Sequence, residues 1–480
     1  MNIITTITDI NSDGYGVGRT GEPPVADREY VCDTRNSSLA GLSCAFVGRA
    51  NEPPRKVIFV PYTAVGDCVE VSVVKQTKSI IYGELVRVLS PSPDRIVLDC
   101  EYFGCGMSGG SVRCGGCDFR HISYEAELRA KANFIKNAFI RIGGFEPEFL
   151  PLIPSVSVDY YRNNVQFQVC KNKDGELIYG FYAPKSRTVV PHKNCKLYHR
   201  EFAEIAEKAL EKVRGRIPKQ ICVRKGHYSG EINAVADRQT PLIGARDITD
   251  TMCGLKVVIS PNSFYQINTP TAEKLYAVIK EFVGGDSAQK AQVQPASELL
   301  QTAQTCSRSA TTQKAQVQPA SELLQTAQTC SRSVSGDPPV VLDVYCGIGT
   351  IGLSLSDVAK EVVGVECVRA AVKNAVVNAK LNNIKNARFI CADACELPEN
   401  IRPDVVILDP ARKGCDFSVL EKVKNLKPSK IVMVSCSPAT VARDCAILRQ
   451  FGYEVTRVQG VDLFARTKHV ECVVGLTVDS

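Results

Sequence analysis

Apolar and polar positions change rhythm along this chain, and the changes divide it. Up to about residue 92 the apolar residues fall in short runs between turn residues. Val57–Val60 (VIFV), Val69–Val74 (VEVSVV) and Tyr82–Val88 read as strands, and Gly14 to Gly18 is punctuated by glycine. Short strands between turns predict a small β-barrel over residues 1–92. Cysteines interrupt the pattern after residue 93, and Glu125–Arg141 then carries a helical spacing of Ala, Leu, Lys and Phe. Strands return in RNNVQFQVC, ELIYGFY and RTVV, and residues 200–214 read as a helix. Residues 93–260 are therefore predicted to form a central mixed α/β region.

From Val340 the chain alternates strand and helix. VVLDVY, EVVGVE, RFICAD, DVVILD and IVMVSC are strands with helical stretches between them, and YEVTRVQ and HVECVVGL close the series. This predicts a doubly wound, mostly parallel sheet with an antiparallel edge, in a domain spanning 261–480. One segment breaks the domain. QKAQVQPASELLQTAQTCSRS stands at 289–309 and again at 313–333, a period of 24 residues. Two copies are too few to bury a shared core, and the segment lacks aromatics. Residues 286–335 read as a duplicated, disordered insertion in a loop, with no function assigned.

A chain of 480 residues, 44% hydrophobic, exceeds one core and fits about three domains. The net charge of +7 permits a nucleic-acid partner without requiring one. The cysteines number 21, which is odd, and many sit in apolar strands, so a disulfide framework fits poorly. Most of them read as small buried hydrophobes. No apolar run reaches the ~18 residues of a membrane span, and no basic-then-apolar leader is visible. The expectation is a cytoplasmic protein with no membrane association, and no protein partner is indicated.

The turn after VVLDVY reads Asp343-Val-Tyr-Cys-Gly347-Ile-Gly349-Thr-Ile-Gly352. Glycines there let the backbone turn tightly and approach a ligand at a helix N-terminus. The spacing is G-x-G-x-x-G, which suits NAD as well as S-adenosylmethionine. Glu366 ends the next strand, where a carboxylate can accept from both ribose hydroxyls. Asp343 before the loop can face a cationic ligand, and Asp393 at the third strand end can meet an adenine amine or simply cap a helix. Cys436 ends the fifth strand just before a helix start, a place that lowers a thiol's pKa, although a buried inert cysteine would look the same. Upstream, Cys100, Cys105, Cys114, Cys117 and Cys195 include a C-x-x-C pair with remote partners. Such a set can hold zinc, with His121 or His192 completing it, or an iron–sulfur cluster.

Taken in order, VLDVYCGIGTIGL, LDPARKGCD, VSCSPATVARD and LFARTKHVE resemble the RNA uracil-5-methyltransferase family. The resemblance covers nearly the whole chain except the insertion. It implies an N-terminal OB-like TRAM barrel that binds RNA, a central α/β domain and a C-terminal Rossmann-like methyltransferase domain. It makes Cys436 the nucleophile and Glu471 the general base, and it places Gln266, Tyr345, Thr350, Glu366, Asp393 and Asp409 around S-adenosylmethionine. Without it, Glu471 would read as a solvent-facing strand residue, and Phe264, Tyr265 and Ile267 as packing residues. It further implies a 4Fe-4S cluster on Cys100, Cys114, Cys117 and Cys195. Relatives have a short gap between the first two ligands, whereas here thirteen residues intervene, which brings Cys105 in as a substitute. A TRAM-like barrel with a cysteine cluster resembles the branch acting on 23S rRNA, with tRNA as the rival substrate. Arg162, Lys185 and Arg187 are the expected RNA-facing cations, with Tyr182 or Phe181 stacking bases.

Overall fold

The computed structural model describes residues 2–21, 55–104, 113–284, 337–398 and 400–478. The duplicated insertion and Cys105 lie outside the described residues. The first sheet comprises β1 (Asn2–Thr6), β2 (Asp9–Ile10), β3 (Tyr15–Arg19), β4 (Val57–Pro61), β5 (Cys68–Gln76) and β6 (Ile80–Ser90), in the order β1-β5-β6-β4-β3-β2. Alternate residues point inward, so Ile58, Val60, Val69, Val71 and Ile81 form one small core. The sheet curls until Thr5 of β1 reaches Arg19 of β3: its Oγ accepts from the Arg19 amide at 3.2 Å and donates to the Arg19 carbonyl at 3.0 Å.

The helix Tyr124–Ala138 follows, with the Ser123 side chain accepting from the Ala126 amide as its N-cap. It runs into a single π-turn, Phe139–Gly143, and stops at Gly144, whose φ of 76° is left-handed. Next comes β7 (Glu148–Ile153). This segment was grouped with the central region by its position in the sequence. It joins the C-terminal sheet instead, because Ile135, Ala138 and Phe139 bury their side chains in that sheet's core.

The central sheet is wholly antiparallel. It contains β8 (Asn164–Lys171), β9 (Leu177–Tyr182), β10 (Val189–Pro191), β11 (Gln220–Lys225), β12 (Ile232–Ala236) and β13 (Thr240–Ile243), in the order β10-β9-β8-β11-β12-β13. The helix Phe202–Glu211 lays Phe202, Ala206 and Ala209 on Phe167, Ile221 and Val223. A hairpin, β14 (Ile248–Met252) and β15 (Leu255–Ile259), leads to the helix Thr269–Gly284.

The C-terminal sheet takes β16 (Val340–Val344), β17 (Glu361–Glu366), β18 (Ala387–Cys391), β19 (Val405–Leu408), β20 (Lys430–Ser435), β21 (Tyr453–Val461) and β22 (Glu471–Val478). The order is β18-β17-β16-β19-β20-β22-β21-β7. β16 to β20 are parallel, β22 runs against both neighbours, and β7 is parallel to β21. The edge on that side is therefore β7 from the N-terminal half, and the antiparallel strand β22 lies inside. Strand order reverses between β16 and β19. The crevice beyond their carboxyl ends is where an open α/β sheet binds its ligand. Among the described residues no helix is long and apolar enough to cross a membrane.

Candidate active site

The glycine-rich turn leaves β16 through three left-handed residues, Tyr345 (φ 67°), Gly347 (φ 57°) and Gly349 (φ 83°). A Cβ on Gly349 would lie 2.9 Å from the Phe389 ring and 3.1 Å from Ala375. A Cβ on Gly347 would meet nothing, so the backbone is open to a ligand there. Gly352 is fixed by packing: a Cβ would sit 2.9 Å from both Asp343 Oδ2 and Val362. Gly352→Ala is therefore expected to lower stability by about 1–3 kcal/mol, as overpacking does. Denaturant unfolding followed through the C-terminal domain would measure it, and an unchanged midpoint would contradict the packing argument.

Asp343 is fully buried. Its Oδ2 accepts from the Gly352 amide at 2.9 Å, while Oδ1 has no partner. Burial, and then the nearby Asp409, push this carboxyl up to about 7. Glu366 at the end of β17 accepts from the Gly347 amide at 3.1 Å and the Val368 amide at 2.8 Å, which lashes the turn to the strand end. Asp393 is exposed and caps a short turn, accepting from the Cys395 amide at 2.8 Å. That amide holds its carboxyl below the usual range. Thr350 opens the helix Thr350–Ser354, and its hydroxyl lies 2.8 Å from the Tyr276 hydroxyl.

Tyr276 sits on the helix that Gln266 precedes, so this contact draws the Phe264–Asn268 segment towards the turn. Asn378 does the same on another side. It accepts from the Val258 amide at 2.8 Å and donates to the Ile348 carbonyl at 3.1 Å. Gln266 is 5% exposed and its Oε1 has no partner. Its carbonyl accepts from Asn163 at 2.9 Å. Tyr265 is core, with its hydroxyl on Asp250 at 3.0 Å, but Phe264 is 68% exposed and is no packing residue.

Cys436 and Glu471 are brought together by strand register. β20 and β22 pair Ser435 with Cys472, so the next residues along, Cys436 and Glu471, face one another at the sheet's carboxyl end. Glu471 is 6% exposed, and burial, then Asp409, push its carboxyl up to about 8, against the pull of Arg412. Asp409, just past β19, is raised to about 7 by burial. The Cys436 thiol is pushed up to about 11 by burial and then Glu471, although Arg412 pulls it down as a charge and a donor. The expectation of a depressed thiol is thus corrected: in the unliganded chain two carboxyls and burial outweigh the helix start and one guanidinium. Arg412 was not singled out by sequence reasoning. It stands three residues after Asp409, and His469 Nε2 lies 3.3 Å from its Nη2. Burial and then Arg412 push the His469 ring down to about 4, so at neutral pH it is uncharged and accepts from Arg412.

A second site lies where the cysteine segment meets the central sheet. Cys100, Cys114, Cys117 and Cys195 line one cavity of about 70 Å³ with Arg120, Arg162 and His192. Burial, with repulsion between the thiols, pushes Cys114 and Cys195 up to about 11 and Cys117 to about 12. Among the described residues no group of three or more His, Cys, Asp or Glu is arranged to hold a single metal ion. His121 is turned away, bonding the Thr63 carbonyl at 3.1 Å, so it does not complete a zinc site. Arg162 lines this cavity and is not a surface cation, which corrects its placement on an RNA face. Lys185 and Arg187 are exposed on the β9–β10 hairpin, with Lys185 over the Tyr15 ring of β3 at 5.6 Å. Tyr182 is exposed and Phe181 packs into the central core.

The family model described as tRNA (Uracil-5-)-methyltransferase matches residues 297–478. An RNA methyltransferase of Clostridium tetani is 32% identical over 88% of this chain and 91% of its own length. The chain belongs to the RNA uracil-5-methyltransferase family. Another RNA methyltransferase, from Halalkalibacterium halodurans, is 30% identical over 87% of this chain and 92% of its own length. Among solved structures, the Pyrococcus abyssi tRNA (uracil-54, C5)-methyltransferase in complex with S-adenosyl-L-homocysteine superposes with a TM-score of 0.64. That match has 22% identity and covers 99% of this chain and 100% of the other, so the fold is shared. An RNA methyltransferase is therefore the enzyme at hand, and NAD as the ligand of the glycine-rich loop is set aside.

Proposed function

We propose that this methyltransferase places a methyl group from S-adenosylmethionine on carbon 5 of a uridine in 23S rRNA, through a covalent bond between Cys436 and carbon 6. The observation that carries the reading is the meeting of Cys436 with Glu471 across the β20–β22 register, beside Asp409 at the crevice. The cofactor pocket fits on two orphaned buried atoms, Gln266 Oε1 and Asp343 Oδ1, and on the open backbone at Gly347. Gln266, Tyr345, Thr350, Glu366, Asp393 and Asp409 would hold the cofactor. When bound, S-adenosylmethionine supplies an electrophilic methyl on a sulfonium. A cation arriving beside Asp343, Asp409 and Glu471 favours their ionised forms.

Carbon 5 of uracil is a weak nucleophile. Cys436 gives up its proton to solvent and its sulfur adds to carbon 6, which moves the electron pair of the 5,6 double bond onto carbon 5 as an enolate. Carbon 5 then takes the methyl, a step that depends chiefly on alignment of the two partners. Glu471 as carboxylate removes the remaining carbon 5 proton. The electron pair re-forms the 5,6 double bond and expels the Cys436 sulfur, so the ring leaves as 5-methyluridine. The uridine has to be flipped out or unpaired to reach the thiol. The curled N-terminal sheet, read as the TRAM module, and the exposed Tyr182, Lys185 and Arg187 are the proposed RNA surface.

The four thiols facing one cavity fit a 4Fe-4S cluster on Cys100, Cys114, Cys117 and Cys195, a group that would brace this segment and take no part in methyl transfer. Protein purified without oxygen is expected to carry iron and acid-labile sulfide, both lost in Cys114→Ser. Folded protein purified without oxygen that carries neither iron nor acid-labile sulfide would remove the cluster from the reading. Transfer RNA is the second substrate reading, favoured by the full-length fold match to an enzyme acting on tRNA. Labelled S-adenosylmethionine with unmodified 23S rRNA and, separately, unmodified tRNA tests both. Label in 5-methyluridine from the first supports the proposal and from the second transfers it to tRNA. Label in neither RNA overturns it.

A further inference from the structure

Glu471 follows a loop, residues 462–470, that joins β21 to β22. Loops usually run over the surface, where water satisfies their peptide groups. This one is internal: Asp462, Leu463, Ala465 and Thr467 are all buried. Its peptide groups must find partners in the protein: the Asp462 amide takes the Ile153 carbonyl of β7, and other groups are held from outside the sheet. Lys131, itself fully buried, bridges Asp462 at 2.6 Å and the Phe464 carbonyl at 3.2 Å. Tyr124 donates to the other Asp462 oxygen at 2.7 Å. Beyond these, the turn at Arg466 has a φ of 67°, a left-handed value that costs free energy in a non-glycine residue and persists only where its surroundings enforce it.

Asp118 shares that enforcement with Glu127, which accepts from the Arg466 amide at 2.7 Å. The Asp118 amide donates to the Arg466 carbonyl at 3.0 Å, and its Oδ2 accepts from the Lys468 amide at 2.9 Å. It thus closes a clamp around the strained turn five residues before Glu471, and it is the residue after Cys117. We infer that Asp118 is a positioning residue for Glu471, tying the cysteine segment to the turn and so aiming the carboxyl at carbon 5. The inference rests on Glu471 being the base proposed above. Cys436 is held differently, by β20 between β19 and β22. Loss of the Asp118 carboxylate therefore slows proton removal and leaves addition and methyl transfer in place.

The test follows the covalent RNA–protein complex on denaturing gels beside turnover, using whichever transcript, 23S rRNA or tRNA, the enzyme methylates. Asp118→Ala is expected to lose turnover by about 10²-fold, the scale of a ~1 Å misplacement, while the methylated complex accumulates. Asp118→Asn keeps an oxygen for the Lys468 amide and is expected to restore release. Two outcomes overturn the inference. One is Asp118→Ala turning over like the wild type. The other is complex formation falling in step with turnover in both variants, which marks a merely structural role. If Asp118→Ala does not fold, Asp118→Ser, which withdraws the oxygen from the Lys468 amide but keeps a polar side chain, carries the same expectation. Glu471→Gln is run alongside. Release at the wild-type rate in that variant sinks the base assignment itself, whereas trapping there with normal release in Asp118→Ala sinks only the positioning.

Discussion

Cys436→Ala is expected to abolish methyl transfer and the covalent RNA complex together, while S-adenosylmethionine still binds. In other enzymes that use a covalent nucleophile, removing it costs on the order of 10⁶-fold. The reason lies in the substrate. Without sulfur on carbon 6 the ring has no electron pair to offer at carbon 5, and alignment of the cofactor gains nothing. Binding should survive because the groups proposed to hold the cofactor, among them Gln266, Thr350 and Glu366, are held by contacts that do not include Cys436. Calorimetric titration with S-adenosylmethionine, beside label incorporation into RNA, reads both. Residual methylation above background in the variant would show that carbon 5 is activated without the thiol, and the covalent route would fall.

The same thiol marks how far the sequence could be read. Its place at a strand end was legible, because strand-helix alternation puts the end of IVMVSC at the ligand face of the sheet. Its protonation was not. Helix start and basic neighbours suggested a lowered pKa, but burial raises it first, and then Glu471 and Asp409, which stand 35 residues after and 27 before it in the chain and meet it only through sheet register. The N-terminal strands were legible for a local reason, since inward and outward positions alternate in each one. β7 was not, because its partner β21 lies some 300 residues further on and nothing in EFLPLI names that partner. Arg162 illustrates the same limit. A cation beside an apolar strand reads as surface, and only the fold turns it into the wall of a thiol-lined cavity. Asp393 shows the reverse case, where the plain reading as a cap is realised in the structure.

Glu471→Gln should separate the two halves of the reaction. Turnover is expected to drop by about 10²–10⁴-fold, the usual weight of general-base help, while the methylated RNA complex accumulates because the thiol cannot leave. The pH dependence carries the sign of the burial. Glu471 is pushed up to about 8, above the ordinary 4.5, so below pH 8 the free protein holds this carboxyl mostly protonated. Release by the wild type should therefore quicken as pH rises towards 8 and level off above it, whereas the slow release by Glu471→Gln should lack that rise. Stability runs the other way. Between 4.5 and 8 the folded chain retains a proton here that the unfolded chain has lost, so raising the pH through that window weakens the fold. Glutamine cannot ionise. The variant should gain stability relative to the wild type as pH rises through the window, measured by denaturant unfolding at pH 5 and pH 8. A wild-type release rate that is flat from pH 6 to 8 would mean that the carboxyl is already ionised in the RNA complex. In that case burial does not set the proton on Glu471 during release, and the pH argument falls.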